Sequence, residues 1–266
     1  MKGRVLIVAG SDSGGGAGIQ ADIKSVTALG GFAATAITAL TAQNTMGVHG
    51  IHEVPPAFVS QQIEVVLEDI GADAIKTGML HRGEVLDAVI GALERFAADV
   101  PLVVDPVMVA KGGASLLDED TRAMLRQRLI PRAAVLTPNI PEAEILSGMS
   151  ISNEADMKTA GRRLLALGPG AVLMKGGHLP GPEVVDLLLT ADGVERHAAA
   201  RIDSRHTHGT GCTLASSIAC GLAQGLAVGA AVARARKYVL EAIRTAPGLG
   251  RGHGPLNHGH TVTAIP

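Results

Sequence analysis

The chain is poor in aromatic side chains, with no Trp, one Tyr and three Phe among 266 residues. Single-stranded nucleic acids are usually gripped by aromatic stacking platforms, so this scarcity argues against that class of partner. A basic face is missing as well. Charged residues make up 18% of the chain and the formal net charge is −2, with Lys and Arg scattered; no nucleic-acid footprint is expected. Apolar stretches of membrane-spanning length are absent unless charges or glycines interrupt them, so no membrane association is expected. Only two cysteines occur, Cys212 and Cys220, on one expected helix and facing different ways. A disulfide is not expected, and a reducing, cytoplasmic setting follows. The opening apolar run is too short for a signal peptide and breaks into Ser11-Asp12-Ser13-Gly14-Gly15-Gly16. It reads as a first buried strand.

What is present is aliphatic: 47% of the residues are hydrophobic, enough for a sizeable core without rings. Short apolar runs predict strands at Val5–Ala9, Ala34–Leu40, Ala74–Thr77, Leu102–Asp105, Ala134–Thr137 and Ala171–Lys175. Between them, helices are expected at Ala17–Leu29, Phe58–Ile70, Glu84–Ala97, Asp118–Arg128, Glu154–Leu167, Gly211–Gln224 and Val228–Ala246. Strands that are apolar throughout suit a parallel sheet covered on both faces. The alternating order predicts one doubly wound α/β domain over 1–266, mostly parallel, with little or no separate lid. Val184–Thr190 with Gly193–His197 alternates like a short hairpin at one sheet edge. The segment 251–266, with His253, His258 and His260, reads as an exposed tail rather than a metal site, since no Cys or acid lies near.

Several expected strands end in Gly or polar residues: Gly10-Ser11-Asp12, Thr77-Gly78-Met79, Asp105-Pro106, Thr137-Pro138-Asn139 and Lys175-Gly176-Gly177. Ligands of open α/β sheets bind beyond the carboxyl ends of strands, so these points should converge. Nearby belongs His206-Thr207-His208-Gly209-Thr210-Gly211-Cys212, a glycine loop feeding an Ala-rich helix. Unpaired N–H groups and the positive dipole end make such a helix start an anion cradle. Cys212 in the first turn would feel the same field, which favours its thiolate. The run Gly14-Gly15-Gly16-Ala17-Gly18 fits neither G-x-G-x-x-G nor a P-loop.

The run Gly10–Lys24, with its motif Gly10-Ser11-Asp12-Ser13-Gly14-Gly15-Gly16-Ala17-Gly18-Ile19-Gln20-Ala21-Asp22, resembles the opening signature of hydroxymethylpyrimidine/phosphomethylpyrimidine kinases, of the ribokinase-like superfamily. The likeness continues through Thr38–Thr45, Lys76–Leu80, Val104–Met108, Thr137–Ala143, Lys175–His178 and His206–Cys212, in order over nearly the whole chain. It implies a ribokinase-like fold, ATP and Mg²⁺ as cofactors, a small pyrimidine substrate and a homodimer. Gly209, Thr210 and Gly211 would form the hole for the moving phosphoryl group, Cys212 would be the base, and Lys175 would neutralise phosphate charge. Asn139 and Glu142 match an N-x-x-E element that orders Mg²⁺, with Asp105 in the same network. Gln43, Asp22, Gly10, Met79 and Val107 would line the pyrimidine pocket, where the Gln43 amide suits a ring nitrogen beside an amino group. Lys111, with Gly112 and Gly113, would lie on a flap over the substrate or on a plain surface loop. Cys212 and His206 both stand where sugar kinases of the superfamily carry Asp, which weakens a sugar-kinase reading.

The implied reaction is phosphorylation of 4-amino-5-hydroxymethyl-2-methylpyrimidine by ATP, first to the monophosphate and then to the diphosphate, for thiamin biosynthesis. A pyridoxal kinase of the same superfamily is the nearer rival. A non-catalytic pyrimidine-binding module is the rival from another class, and the intact anion-hole and N-x-x-E elements speak against it.

Overall fold

A computed structural model describes residues 1–108 and 117–263. Nine strands form one sheet: β1 (Arg4–Asp12), β2 (Phe32–Asn44), β3 (Gly47–Glu53), β4 (Ala74–Thr77), β5 (Leu102–Val104), β6 (Val135–Leu136), β7 (Ala171–Lys175), β8 (Glu183–Thr190) and β9 (Gly193–Ala200). Their spatial order is β3-β2-β1-β4-β5-β6-β7-β8-β9. The pairs from β2 to β7 are parallel, while β3 at one edge and β8–β9 at the other are antiparallel. The doubly wound, mostly parallel architecture is the expected one, and the edge hairpin lies where its alternation placed it.

The helices are α1 (Gly18–Ala28), α2 (Pro56–Asp69), α3 (Gly83–Phe96), α4 (Glu119–Met124), α5 (Ile140–Ser147), α6 (Glu154–Leu165), α7 (Thr210–Ala223) and α8 (Val228–Arg244). They cover both sheet faces. Leu6 and Val8 of β1 pack into a core with α2 and α3 through Ile63, Leu86 and Ile90. Val5 and Ile7 point the other way, to Leu214, Ile218 and Val232 of α7 and α8. Period-two alternation thus makes one strand serve two cores. Chain order leaves β1 in both directions, towards β2 on one side and β4 on the other. A crevice opens at such a switch point, and Gly10-Ser11-Asp12 and Gly78-Met79 border it.

Three elements depart from expectation. The helix expected over Asp118–Arg128 is α-helical only to Met124, then continues as a π turn (Leu125–Leu129) and a 3₁₀ turn (Ile130–Arg132). Pro131 lies in that final turn, where a proline cannot extend an α-helix. β3 carries no sequence signal because every one of its residues is at least partly exposed. α5 begins in a stretch read as ligand chemistry: Asn139 Oδ1 accepts from Glu142 N at 3.0 Å and Glu142 Oε2 accepts from Asn139 N at 2.9 Å. That is a capping box.

The C-terminal segment is not the exposed tail that its composition suggests. Leu256 is buried, His258 Nε2 lies 2.9 Å from Thr213 Oγ1, and the Tyr238 hydroxyl donates to the His258 carbonyl at 2.6 Å. His260 stacks on Tyr238 with ring centroids 4.7 Å apart. Burial lowers the His258 pKa to about 4, so its ring is neutral. Upstream, Gly252 and His253 donate backbone N–H groups to Thr45. The segment is a strap across the sheet edge, anchored by the chain's single tyrosine. Tyr238→Phe removes one buried hydrogen bond and should lower stability by about 1 kcal/mol. Urea denaturation would measure that loss, and limited proteolysis should show faster cleavage at Arg251; equal stability and equal cleavage would contradict the anchoring role.

Candidate active site

α7 starts at the carboxyl edge of the sheet from Gly209, whose φ of 83° is left-handed. A Cβ there would also run into the Gly16 carbonyl oxygen, so glycine is required twice over. The Thr210 hydroxyl donates to Thr207 O at 2.8 Å, which tightens the loop. The first N–H groups of α7 then lack intrahelical partners, and the helix dipole adds positive potential. A Cβ on Gly211 would lie 3.3 Å from Lys175 Nζ and 3.6 Å from Asp105 Oδ2. The glycine loop, the end of β7 and the end of β5 therefore meet.

Lys175 Nζ pairs with Asp105 Oδ1 at 2.9 Å, and Thr137 Oγ1 donates to the same oxygen at 3.2 Å. Burial works against the Lys175 charge, but Asp105 and Glu142 outweigh it and raise its pKa. Glu142 is pushed up to about 7, chiefly by burial and also by Asp105; Lys175 pulls the other way. Two buried carboxylates share one lysine here. No group of three or more metal-ligating side chains occurs among the described residues. The donor set suits a hard cation held mostly by water and phosphate oxygens. Beyond Lys175, Gly176 N donates to Asp186 Oδ1 at 2.9 Å, and Asp186 binds Arg236. Arg236 borders an apolar groove of about 770 Å³ along α8, lined by Ala199, Ile202, Ala233, Lys237 and Leu240 among others.

The expected thiolate is corrected. Cys212 keeps part of its surface accessible, yet the protein crowded around it pushes its thiol up to about 11. Lys76 and the Gly18 N–H pull it down, while Asp22 and Asp105 push it further up. Desolvation is the largest influence on the thiol and works against the thiolate. Asp22 departs from expectation too. Its carboxylate is fully buried, with Lys76 Nζ at 3.0 and 2.8 Å and the Ser216 hydroxyl donating at 2.6 Å. It faces no open pocket because Lys76, itself fully buried on β4, needs a counter-ion.

On the pyrimidine side, Met79 lies against Gly10: a Cβ on Gly10 would meet Met79 Cε at 2.5 Å. The Thr38 hydroxyl fixes Met79 by donating to its carbonyl at 2.7 Å. Val107 borders a void of about 10 Å³ with Thr77, Gly78 and Asp105. The Gln43 amide is already engaged, 3.2 Å from Thr41 Oγ1 and 3.2 Å from His208 Nε2. Sequence reasoning missed Asp12 and His208 as members of this site. Their signal was the position of each inside a Gly-rich motif, where chemistry was assigned to the glycines. Lys111 lies outside the described residues.

The raised thiol pKa has a direct readout. Thiolate is the form that alkylates, so iodoacetamide labelling of Cys212 should be slow at neutral pH. It should climb about tenfold per pH unit well into the alkaline range, since the thiolate fraction grows until about pH 11. Mass spectrometry would separate Cys212 from buried Cys220. A labelling rate already level near pH 7 would mean that the helix field wins after all.

Comparison with known proteins fits this geometry. The phosphomethylpyrimidine kinase family model matches residues 12–257. A hydroxymethylpyrimidine/phosphomethylpyrimidine kinase of Streptomyces coelicolor is 50% identical, covering 96% of this chain and 94% of the relative. A thiamine biosynthesis bifunctional protein of Geobacter sulfurreducens is 55% identical over 97% of this chain, which spans only 52% of that longer protein. Among solved structures, a phosphomethylpyrimidine kinase from Clostridium difficile 630 matches with TM-score 0.81 and 43% identity, covering 91% of this chain and 100% of that one. An ADP complex of Bacillus subtilis pyridoxal kinase matches with TM-score 0.90 and 33% identity, over 97% and 98% of the two chains. A glycine-headed helix start on a Lys–Asp pair, within a sheet of this order and with relatives of this identity, places the protein: the chain belongs to the phosphomethylpyrimidine kinase family.

Proposed function

We propose that the site phosphorylates 4-amino-5-hydroxymethyl-2-methylpyrimidine with ATP and then phosphorylates the monophosphate to the diphosphate. The observation that carries this reading is the meeting of the α7 start with Lys175 and Asp105. Phosphoryl transfer asks mainly for positioning and for charge placed around the moving group. The N–H groups of Gly211 and its neighbours would face that group, and Lys175 would exchange part of its contact with Asp105 for phosphate oxygen. The groove along α8 offers apolar surface to the base of ATP, tied through Arg236 and Asp186 to the turn after Lys175. Asp105 and Glu142 would hold Mg²⁺ largely through its waters, and the ion would offset negative charge on the phosphates. Gly10, Met79 and Val107 would pack the ring, and Gln43 would read its polar edge. Asp22 acts from beneath, by keeping Lys76 charged and β4 in place.

The acceptors differ between the two steps. A monophosphate oxygen is already ionised, whereas the hydroxymethyl group must lose a proton. We assign that proton to the thiolate form of Cys212 at the start of α7, a minor form in the free protein. The β2–β3 ribbon exposes the apolar side chains Leu40, Met46, Val48 and Ile51, and α2 exposes Phe58 and Val65; this apolar surface is suited to a second copy of the chain.

An ATP-coupled assay over the hydroxymethylpyrimidine, its monophosphate and pyridoxal tests the reading. Both pyrimidines should be turned over with much higher kcat/KM than pyridoxal; equal or better use of pyridoxal would move the assignment to a pyridoxal kinase, the activity of the Bacillus subtilis neighbour. Cys212→Ala should slow the first step about 10²–10⁴-fold more than the second, the usual range for a general base. Equal slowing in a folded variant would remove the base role.

The pH dependence follows from Glu142. Its pKa is raised to about 7, so the carboxyl is neutral below that pH and ionised above it. The Mg²⁺ concentration needed for half-maximal turnover should therefore rise as pH is lowered through about 7. Glu142→Gln should need high Mg²⁺ at every pH. A Mg²⁺ requirement that does not change with pH in the wild-type protein would count against this role.

A further inference from the structure

His208 links the phosphate loop to the pyrimidine side. Its Nε2 lies 2.8 Å from Asp12 Oδ2 and 3.2 Å from the Gln43 amide. Asp12 also accepts backbone N–H groups from Gly14 at 2.8 Å, Gly16 at 3.1 Å and Ala17 at 2.8 Å. Burial opposes its charge, but these donors and His208 outweigh it and lower its pKa. An ionised carboxylate only accepts. The proton between the two side chains therefore sits on His208 Nε2.

The orientation of Gln43 follows from proton counting. Thr41 has one hydroxyl proton, and Thr41 Oγ1 donates it to Ser11 O at 2.8 Å. The amide end 3.2 Å from that hydroxyl must then be the NH₂ group, donating to Thr41. The end facing His208 is the carbonyl oxygen, which accepts from Nε2–H as the second branch of a shared bond. This is the flipped assignment of an amide whose two ends look alike to heavy-atom geometry. It leaves one N–H and one oxygen lone pair of Gln43 free on the same amide. That pair is complementary to an acceptor ring nitrogen beside an exocyclic amino group.

We infer that His208 is a positioning residue for substrate selection: the Asp12 carboxylate fixes its Nε2–H tautomer, and that N–H fixes the Gln43 amide in the orientation that reads an aminopyrimidine edge. This rests on the pyrimidine-kinase reading for the identity of the ligand, though not for the proton assignment. Gly16 lies close against one side of the ring. A Cβ on Gly16 would come within 2.6 Å of His208 Cδ2, and Pro255 of the strap lies against the same glycine. The His208 backbone donates to Gly254 O at 3.2 Å. Because His208 precedes Gly209 directly, the reader of the base and the cradle of the phosphoryl group are set by one residue.

Two measurements on the full chain test this. Nitrogen-15 NMR of the histidine rings, with His208 assigned by loss of its signals in His208→Asn, should show a protonated Nε2; protonation at Nδ1 alone overturns the proposal. This needs no variant activity and no pyrimidine. The second is a double-mutant cycle on the affinity for the hydroxymethylpyrimidine, by calorimetry and as KM. His208→Asn should weaken it about 10–100-fold, the scale of a misplaced buried hydrogen-bonding group, with KM for ATP little changed. Combined with Gln43→Leu, it should cost nothing beyond Gln43→Leu alone, and His208→Gln, whose amide N–H can replace Nε2–H, should recover part of the loss. Additive losses, or an equal rise in KM for ATP, would overturn it by showing that His208 merely props the loop. A wild-type protein that ignores the pyrimidine would instead overturn the functional reading and leave the tautomer result standing.

Discussion

The floor of the site rests on the buried ion pair between Lys76 and Asp22. Both side chains are fully enclosed, so neither can be removed without stranding the other in a low-dielectric setting, a loss of about 3–5 kcal/mol. Lys76 belongs to β4, Asp22 to α1, and Ser216, which donates to Asp22, to α7. One pair therefore ties an interior strand to the two helices whose N-termini border the crevice. A second pair, Lys175–Asp105, sits where α7 begins and is partly open. The inner pair holds the scaffold, and the outer pair is free to trade partners with a ligand.

This arrangement explains why Cys212 does not behave as a helix-start cysteine in isolation would. Two carboxylates face it as well as one lysine, and little water reaches it. A phosphate-bearing ligand with its counter-ion would change that balance, because Asp105, one of the charges acting on Cys212, would meet the ligand. The chemistry of the thiol is thus a property of the loaded site more than of the free protein.

Much of the fold was legible in sequence because its signals were local. β7 was bounded correctly as an apolar run closed by Lys175-Gly176, β4 at Ala74–Thr77 although Lys76 interrupts it, and the edge hairpin followed from its alternation. β3 was not legible, since an exposed edge strand carries no buried face to pattern. At the site, the glycine loop and Lys175 were found by residue type and place. Asp22 was misplaced because its partner Lys76 lies far away in sequence and reads as the end of a strand. Asn139 and Glu142 were seen as ligand chemistry, and their second role, capping α5, escaped notice although the same two letters encode it. The strap was misjudged because a Gly- and His-rich composition looks solvated, while its anchors Tyr238 and Thr213 lie on other elements.

The strap also sets the order of events in the life of the chain. β1 precedes the other strands and takes an interior place in the sheet, yet the loop that follows it packs against Gly209 and Pro255, which are made much later. A nascent chain can pair β1 with β2 and cover one face while it is still being extended. It cannot fix His208 until the strap has been synthesised and laid down beside it. The sheet is competent to assemble during synthesis, whereas the phosphate loop takes its final shape only once the strap has been made.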